Sequence, residues 1–281
     1  GKTAAFALPI LQRLAAERRQ PPRGGCRVLV LSPTRELASQ IGESFQAYGS
    51  TIGCRVAVIF GGVPKGKQVR AMERGVDVLV ATPGRLIDHR QDRTVRLDHV
   101  EILVLDEADH MLDLGFIVPI KRIVATIPSR RQTLFFSATM PPEIQRITGQ
   151  FLHNPERVEA TPLSSTVASL EQWVVKAPSD PKEKREALRK LLRSQTNVNN
   201  AIVFANRKTT VALLETSLKR HGFNAAALHG DMDQTARLKT LSAFRAGEVT
   251  YLIASDVAAR GLDIPEVSHV FNYDVPIHAE D

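Results

Sequence analysis

Short runs of apolar residues alternate with longer amphipathic stretches in the first half of the chain. The runs predict β-strands because each is rich in Val, Ile, Leu or Phe and ends at turn or cap residues: Arg27–Leu31, Arg55–Phe60, Asp77–Ala81, Ile102–Asp106 and Thr133–Ser137. Helical spacing of apolar positions predicts helices at Ala4–Glu17, Thr34–Tyr48, Lys65–Arg74 and Pro142–Phe151. Within these bounds the apolar residues form continuous runs rather than alternating with polar ones, which favours a parallel sheet buried on both faces.

The same alternation returns in the second half of the chain. Strands are predicted at Leu170–Lys176, Ala201–Ala205, Ala225–Leu228, Tyr251–Ala254 and Val267–Phe271, and helices at Lys182–Arg193, Thr209–His221 and Gln234–Arg245. Between the halves the pattern lapses into a stretch rich in Ser, Thr and Pro. The predicted fold class is α/β, with domains at residues 1–159 and 170–281 and a linker at 160–169. Each domain is predicted to be a doubly wound, mainly parallel sheet with helices on both faces.

Composition and charge narrow the class of protein. The chain has 281 residues, near the size at which one core splits into two. No apolar run approaches the roughly 20 residues that a membrane-spanning helix needs. The net charge of +7 favours a polyanionic partner such as nucleic acid, although charge alone is weak evidence. Cys26 and Cys54 lack metal-ligand spacing and are interpreted as small apolar residues in a reducing compartment.

The residues with candidate chemistry fall where predicted strands end, which is where open parallel sheets bind ligands. Asp106 ends the strand that starts at Ile102, where an acid can hold Mg2+ and its neighbour Glu107 can orient a water molecule. Gly1-Lys2-Thr3 opens a helix and matches the end of a phosphate-binding loop. Plain explanations also exist, because three residues match by chance and acids are favoured at helix N-termini.

Asp106-Glu107-Ala108-Asp109 resembles the motif that names the DEAD-box helicases, and other motifs of that family follow in its order. They are Pro33-Thr34-Arg35-Glu36-Leu37-Ala38 (motif Ia), Gly61-Gly62 (GG), Thr82-Pro83-Gly84-Arg85 (Ib), Ser137-Ala138-Thr139 (III), Val203-Phe204-Ala205-Asn206-Arg207 (IV), His229-Gly230-Asp231 with Gln234 and Arg237 (the QxxR region), and Ser255–Asp263 (V). The resemblance covers essentially the whole chain, and it implies that both domains are RecA-like.

The resemblance also implies a nucleotide site that uses ATP and Mg2+. The nucleotide-binding candidates are Gly1, Lys2, Thr3 and Asp256, and the metal-binding candidates are Thr3 and Asp106. The catalytic candidates are Lys2, Asp106 and Glu107, of which Glu107 would position the attacking water. The residues expected to couple the nucleotide site to the rest of the protein are Asp109, Ser137, Thr139 and Arg260.

The RNA contacts implied by the resemblance are to the sugar–phosphate backbone and read no base sequence. The candidates are Pro33, Thr34, Arg35, Gly61, Gly62, Thr82, Pro83, Gly84, Arg85, Arg207, Gly230, Gln234, Arg237 and Ser255. Local structure offers alternatives: a helix N-cap for Thr34, a tight turn for Gly61-Gly62, and a solvated helix face for Gln234 and Arg237. Ser255 stands where the family often has Thr, and it keeps the hydroxyl.

Two other features receive structural interpretations. His89, His99 and His110 have no metal-like arrangement and are predicted to be surface residues. Trp173 could stack on a base, but it lies in a strand-like run and is predicted to pack in the core.

The predicted function is that of a monomeric, cytoplasmic, ATP-dependent RNA helicase that closes on single-stranded RNA and unwinds short duplexes. Two alternatives remain open: an ATP-gated RNA clamp or annealing factor that rarely unwinds, and a DNA translocase of the same superfamily, whose motif II usually departs from the DEAD sequence. The family's Q motif, the start of the phosphate-binding loop and motif VI are not found in residues 1–281. Residues 1–281 alone are therefore expected to hydrolyse little ATP.

Overall fold

The computed structural model describes residues 2–140, 142–159, 171–255 and 267–275. The chain divides into two units, Gly1–Leu163 and Ser164–Asp281. The predicted linker at 160–169 lies outside the described residues, so its position stays a prediction. Within the described ranges, no helix is long and apolar enough to cross a membrane.

The sheet of the first unit is parallel throughout its described strands. These strands are β1 (Cys26–Leu31), β2 (Val56–Ile59), β3 (Val76–Ala81), β4 (Ile102–Leu105) and β5 (Gln132–Phe135). Their order is β2-β3-β1-β4-β5. Every residue of β1 and β4 is buried, as expected for strands covered on both faces.

Helices cover both faces of this sheet. They are α1 (Lys2–Ala16), α2 (Arg35–Tyr48), α3 (Lys65–Met72), α4 (Pro83–Gln91), α5 (Ala108–Asp113), α6 (Ile117–Val124) and α7 (Pro142–Phe151), with a short 3-10 helix at Ser50–Ile52. Phe45 of α2 packs in one core with Val30, whereas Met111 of α5 packs in the other core with Leu31. Alternate residues of β1 thus enter opposite cores, which explains why the strand is apolar from Val28 to Leu31.

The second unit repeats this plan. Its described elements are α8 (Pro181–Ser194), β6 (Ala201–Phe204), α9 (Lys208–Arg220), β7 (Ala225–Leu228), α10 (Gln234–Arg245), β8 (Tyr251–Ala254) and β9 (His269–Asn272). The strands are parallel in the order β7-β8-β6-β9. Leu188 of α8 and Leu214 of α9 share one core, and Leu241 of α10 lies in the other. The predicted fold class is confirmed, and most element boundaries differ from the predicted ones by no more than two residues.

The predicted strand at Leu170–Lys176 is wrong over its described part, 171–176, which is irregular. Trp173 is 84% exposed, so it does not pack in the core as predicted. An apolar run becomes a strand only when another strand pairs with it, and no described strand pairs with this segment. Hydrophobicity alone could not show that.

The surface prediction is wrong for two of the three histidines. His89 has no exposed surface and His110 is 4% exposed, whereas His99 has 48% of its side chain exposed. His89 and His110 lie on the inward faces of α4 and α5. Side chains lie near both ring nitrogens of His89 but only near Nδ1 of His110. A buried imidazole ring is tolerated where hydrogen-bond partners are present. Such partners cannot be recognised from residue type alone.

Candidate functional site

The predicted site residues of the first unit gather at the carboxyl edge of its sheet. The loop after each strand carries one motif: Pro33-Thr34-Arg35 after β1, Gly61-Gly62 after β2, Thr82–Arg85 after β3, Asp106–Asp109 after β4 and Ser137–Thr139 after β5. Because the strands are parallel, these loops leave the sheet at the same edge. An open α/β sheet binds its ligand at that edge.

Asp106 is a buried carboxylate at the end of β4. It is 3% exposed, and its Oδ1 accepts a 3.1 Å hydrogen bond from the backbone N–H of Glu107. Burial and the charge of Glu107 raise the pKa of Asp106 to about 6, whereas the charge of Lys2 lowers it. A buried carboxylate with so little compensation fits a bound cation, so this position suits the predicted Mg2+.

Glu107 has a left-handed backbone conformation where α5 begins, with φ 50° and ψ 56°. This conformation costs a non-glycine residue roughly 1–2 kcal/mol, and such residues concentrate at functional sites. Its side chain is 29% exposed, in contrast to that of Asp106, and Oε2 lies 3.4 Å from Nδ1 of His110. Glu107 can therefore reach a ligand in solvent while its backbone N–H stays bonded to Asp106.

His110 is a residue at this edge that the sequence analysis missed. It lies one helical turn after Glu107, and its buried Nε2 has no hydrogen-bond partner among the described residues. The available signal was its spacing of three residues from Glu107, since residues so spaced on a helix face each other. His110 can orient the Glu107 carboxylate.

Asp109 ties the start of α5 to the loop after β5. Its Oδ2 accepts hydrogen bonds from the backbone N–H of Ala138 at 3.1 Å, the backbone N–H of Thr139 at 2.9 Å and the Thr139 hydroxyl at 3.1 Å. Ser137 instead donates its hydroxyl to the carbonyl oxygen of Thr139 at 2.7 Å. The contact between Asp109 and Thr139 is present, and the coupling role of these residues stays a prediction.

The start of α1 carries the residues predicted to meet the phosphates. Lys2 and Thr3 are the first two residues of the helix, and buried Phe6 and Ile10 anchor it to the sheet. Lys2 is exposed, yet its charge acts on Asp106. Gly1, Asp256 and Arg260 lie outside the described residues, so their predicted roles stay predictions.

The segments that resemble motifs Ia and Ib each lead into a helix. Thr34 is the N-cap of α2, since its hydroxyl accepts a 3.2 Å hydrogen bond from the N–H of Leu37. Thr82 takes the same place before α4, with Pro83 at the helix start and no side-chain cap bond. Free N–H groups at helix N-termini favour anions, so both helix starts can face a phosphate.

Residues 60–63, here called the GG loop, are packed against arginine side chains. Gly62 has φ +75°, a left-handed conformation that favours glycine, and a Cβ there would displace the Arg35 guanidinium. Arg85 donates from Nη1 to the carbonyl oxygen of Val63 at 2.9 Å, and 12% of its side chain is exposed. Arg85 thus supports the loop directly, and a phosphate contact by either arginine stays a prediction.

The candidates in the second unit also lie at the carboxyl edge of its sheet. The loops after β6, β7 and β8 carry Arg207, Gly230 and Ser255 respectively. Gln234, the first residue of α10, is 7% exposed, which excludes the solvated-face alternative for it. Arg237 donates from Nη1 to the carbonyl oxygen of His229 at 3.3 Å, and so holds the loop that contains Gly230.

Comparisons with protein families match both units. Residues 1–147 match the DEAD/DEAH box helicase model, and residues 183–281 match the helicase conserved C-terminal domain. The chain is 42% identical over 276 residues to the ATP-dependent RNA helicase CshA of Listeria monocytogenes, and 41% identical over 276 residues to the DEAD-box ATP-dependent RNA helicase CshA of Bacillus subtilis. These matches cover 98% of this chain but 52% and 54% of the relatives, so the chain spans about half the length of the curated relatives it matches.

Solved structures give the same result. S. cerevisiae Dbp5 bound to RNA and ADP BeF3 matches with a TM-score of 0.85 and 32% identity, over 99% of this chain and 69% of that one. A hypothetical ATP-dependent RNA helicase from Sulfolobus tokodaii matches with a TM-score of 0.51 and 38% identity, over 99% and 77%. The two doubly wound units are therefore tandem RecA-like domains, and the chain belongs to the DEAD-box helicase family.

Proposed function

We propose that the protein is an ATP-dependent RNA helicase, in which ATP binding and hydrolysis drive closure of the two units on single-stranded RNA and local unwinding of short duplexes. The observation that carries this proposal is the carboxyl edge of the first sheet, where buried Asp106 adjoins partly exposed Glu107 and Asp109 bonds to the loop of Thr139. The names of the relatives and the RNA-bound Dbp5 structure support it.

The nucleotide is bound by the start of α1 and the end of β4. N–H groups at a helix N-terminus and the Lys2 ammonium attract phosphate oxygens, and Gly1 and Asp256 are further candidates. Thr3 and Asp106 would hold Mg2+, which when bound supplies positive charge next to the phosphates. Glu107 orients a water molecule and accepts its proton, because its carboxylate is partly exposed.

Coupling follows from the bonds of Asp109. Three donors of one loop converge on one carboxylate oxygen, so the start of α5 and the loop of Ser137 and Thr139 move together. Arg260 is the coupling candidate of the second unit. Closure of domains around a ligand is a common way to turn such local shifts into large ones.

RNA is held through its sugar–phosphate backbone. The helix starts at Thr34 and Thr82 offer N–H groups, and the net charge of +7 favours a polyanion. The 2′-OH distinguishes RNA from DNA. The test is ATP hydrolysis by the full-length protein with RNA or DNA of the same sequence, measured beside separation of a short RNA duplex.

Each outcome of this test separates one candidate function. RNA-stimulated hydrolysis with strand separation supports the helicase. Stimulation without strand separation indicates the ATP-gated clamp, and equal stimulation by DNA indicates the translocase of the same superfamily.

A monomeric motor core and a cytoplasmic location belong to the same proposal. Light scattering of the purified protein and imaging of a tagged copy in cells test them. The low ATP hydrolysis expected of residues 1–281 stays a prediction, which an ATP titration of the purified chain with and without RNA tests.

A further inference from the structure

A chain of buried polar side chains lies between α3 and α4, directly behind the GG loop. His89 has no exposed surface and Gln68 is 7% exposed. His89 Nε2 lies 3.1 Å from Gln68 Oε1, and Gln68 Nε2 donates to the carbonyl oxygen of Phe60 at 2.9 Å. On the other side of the ring, Nδ1 lies 2.8 Å from the Thr94 hydroxyl. The chain thus connects the end of α4 with the first residue of the GG loop.

Hydrogen-bond accounting assigns the proton on the His89 ring. The Gln68 amide group donates an N–H to the Phe60 carbonyl, which places the amide oxygen of Gln68 beside His89 Nε2. Because an amide oxygen can only accept, Nε2 must carry the proton of this hydrogen bond. Nδ1 of a neutral ring can then only accept, and the Thr94 hydroxyl beside it has one proton to share between Nδ1 at 2.8 Å and the His89 carbonyl oxygen at 2.9 Å. Burial, with the charges of Lys65 and Arg85, lowers the pKa of His89, which agrees with a neutral ring.

Packing alone does not explain these side chains. Apolar residues of similar size would fill the space without the cost of burying polar groups. Gln68 donates a hydrogen bond to the Phe60 carbonyl, and Arg85 donates one to the Val63 carbonyl. Side chains of α3 and α4 therefore hold both ends of the GG loop.

We infer that His89 and Gln68 are positioning residues for RNA binding: their hydrogen-bonded chain fixes the Phe60 carbonyl and so orients the N–H groups of Gly61 and Gly62. The inference rests on the proposed RNA function. Glycine is the most conformationally free residue, so a loop with two of them gains most from being anchored. A loop already held in one conformation binds its ligand without a further ordering cost.

The test is a double-mutant cycle in the full-length protein. His89→Leu leaves the Gln68 oxygen buried and unpaired, so it should lower both the melting temperature and the RNA affinity. Adding Gln68→Leu removes the unpaired Gln68 oxygen and should recover part of the melting temperature, although the Phe60 carbonyl still lacks its donor. RNA half-saturation of ATP hydrolysis should nevertheless stay about 3- to 10-fold above wild type, which corresponds to one lost hydrogen bond, with the KM for ATP unchanged. Wild-type half-saturation in the double variant would overturn the inference.

Gln68→Glu keeps the test decisive where the leucine variants fold poorly. It keeps an acceptor for His89 Nε2 and removes the donor to Phe60, so RNA half-saturation should again rise; an unchanged value overturns the inference. His99→Gln, at an exposed histidine of the same unit, is the matched control and should match wild type. If the wild-type protein shows no RNA response, the proposed function fails as well; if wild type and all variants respond equally, the inference alone fails.

Discussion

Asp106 and Glu107 are neighbours in sequence but occupy different environments. Asp106 is buried and its pKa is raised to about 6, whereas Glu107 keeps 29% of its side chain exposed. Two carboxyl groups with separated environments can take separate roles. At the residue scale, the backbone also changes between them, since Asp106 follows β4 and Glu107 has a left-handed conformation.

Glu107→Gln should preserve ATP and RNA binding and lower turnover by about 10²- to 10⁴-fold, because the amide has the same shape but cannot accept the proton. ATP hydrolysis at saturating ATP and RNA, beside nucleotide affinity, measures this. Glu143→Gln, at an exposed carboxylate of α7, is the control. Near-normal turnover in Glu107→Gln would remove this residue from the mechanism.

Asp106→Asn should stabilise the protein in the absence of nucleotide and metal. The folded-state pKa of Asp106 is raised from 3.8 to about 6, so the stability of the wild type is highest with the carboxyl protonated and falls as pH rises through 6. The Asn variant lacks this loss, so its gain should be up to about 3 kcal/mol at pH 7.5 and should vanish toward pH 4. Melting temperatures in chelator across this range provide the measurement. A gain of the same size at pH 4 and pH 7.5 would contradict the ionisation argument.

At the element scale, the elements predicted best from the sequence are the strands that are buried on both faces of the sheet. β1 and β4 are buried on both faces, so their apolar runs, Val28–Leu31 and Ile102–Leu105, were sufficient evidence for strands. The segment 171–176 has a similar run without a described strand to pair with. The burial of His89 depends on Gln68, a partner from another helix, which spacing along the chain does not reveal. The motifs placed the site residues at the correct sheet edge, because parallel strands end together, but not their hydrogen-bond partners.

Thr34→Asp separates the two interpretations of the start of α2. Aspartate is as good an N-cap as threonine, so the melting temperature should hold, whereas Thr34→Ala should lose about 1 kcal/mol. If the helix start faces RNA phosphate, the added negative charge should weaken RNA binding by at least tenfold at low salt. Unchanged RNA affinity in Thr34→Asp would leave Thr34 as a cap alone.

Changing Ser137 and Thr139 together to Ala should reduce duplex separation more than ATP hydrolysis. The change removes two hydroxyl hydrogen bonds of the loop and leaves the backbone bonds to Asp109 in place. Each lost bond is worth about 0.5–1.5 kcal/mol, enough to shift a closure equilibrium. The ratio of strand separation to ATP hydrolysis is the measurement, with Thr148→Ala in α7 as control. Equal losses in both activities would argue against coupling.

At the scale of the whole molecule, the net charge and the proposed binding to the RNA backbone lead to one expectation. When a protein with a net charge of +7 binds RNA phosphates, it releases the counterions condensed on the RNA. With roughly five phosphate contacts, raising KCl from about 50 to about 200 mM should weaken single-stranded RNA binding by on the order of 10²-fold. Fluorescence anisotropy of labelled RNAs measures this, and two RNAs of equal length and different sequence should behave alike. A flat salt response would contradict backbone binding.

The amide hydrogens of Ala138 and Thr139 both point at one oxygen of Asp109. Amides held in this way exchange with deuterium mainly when the bond opens. Deuterium uptake by a peptide that spans this loop therefore records how often the loop detaches from α5, with no probe attached to the protein. Deuterium uptake would be measured with nucleotide alone, with RNA alone and with both. The comparison would show which ligand keeps the loop bonded to Asp109.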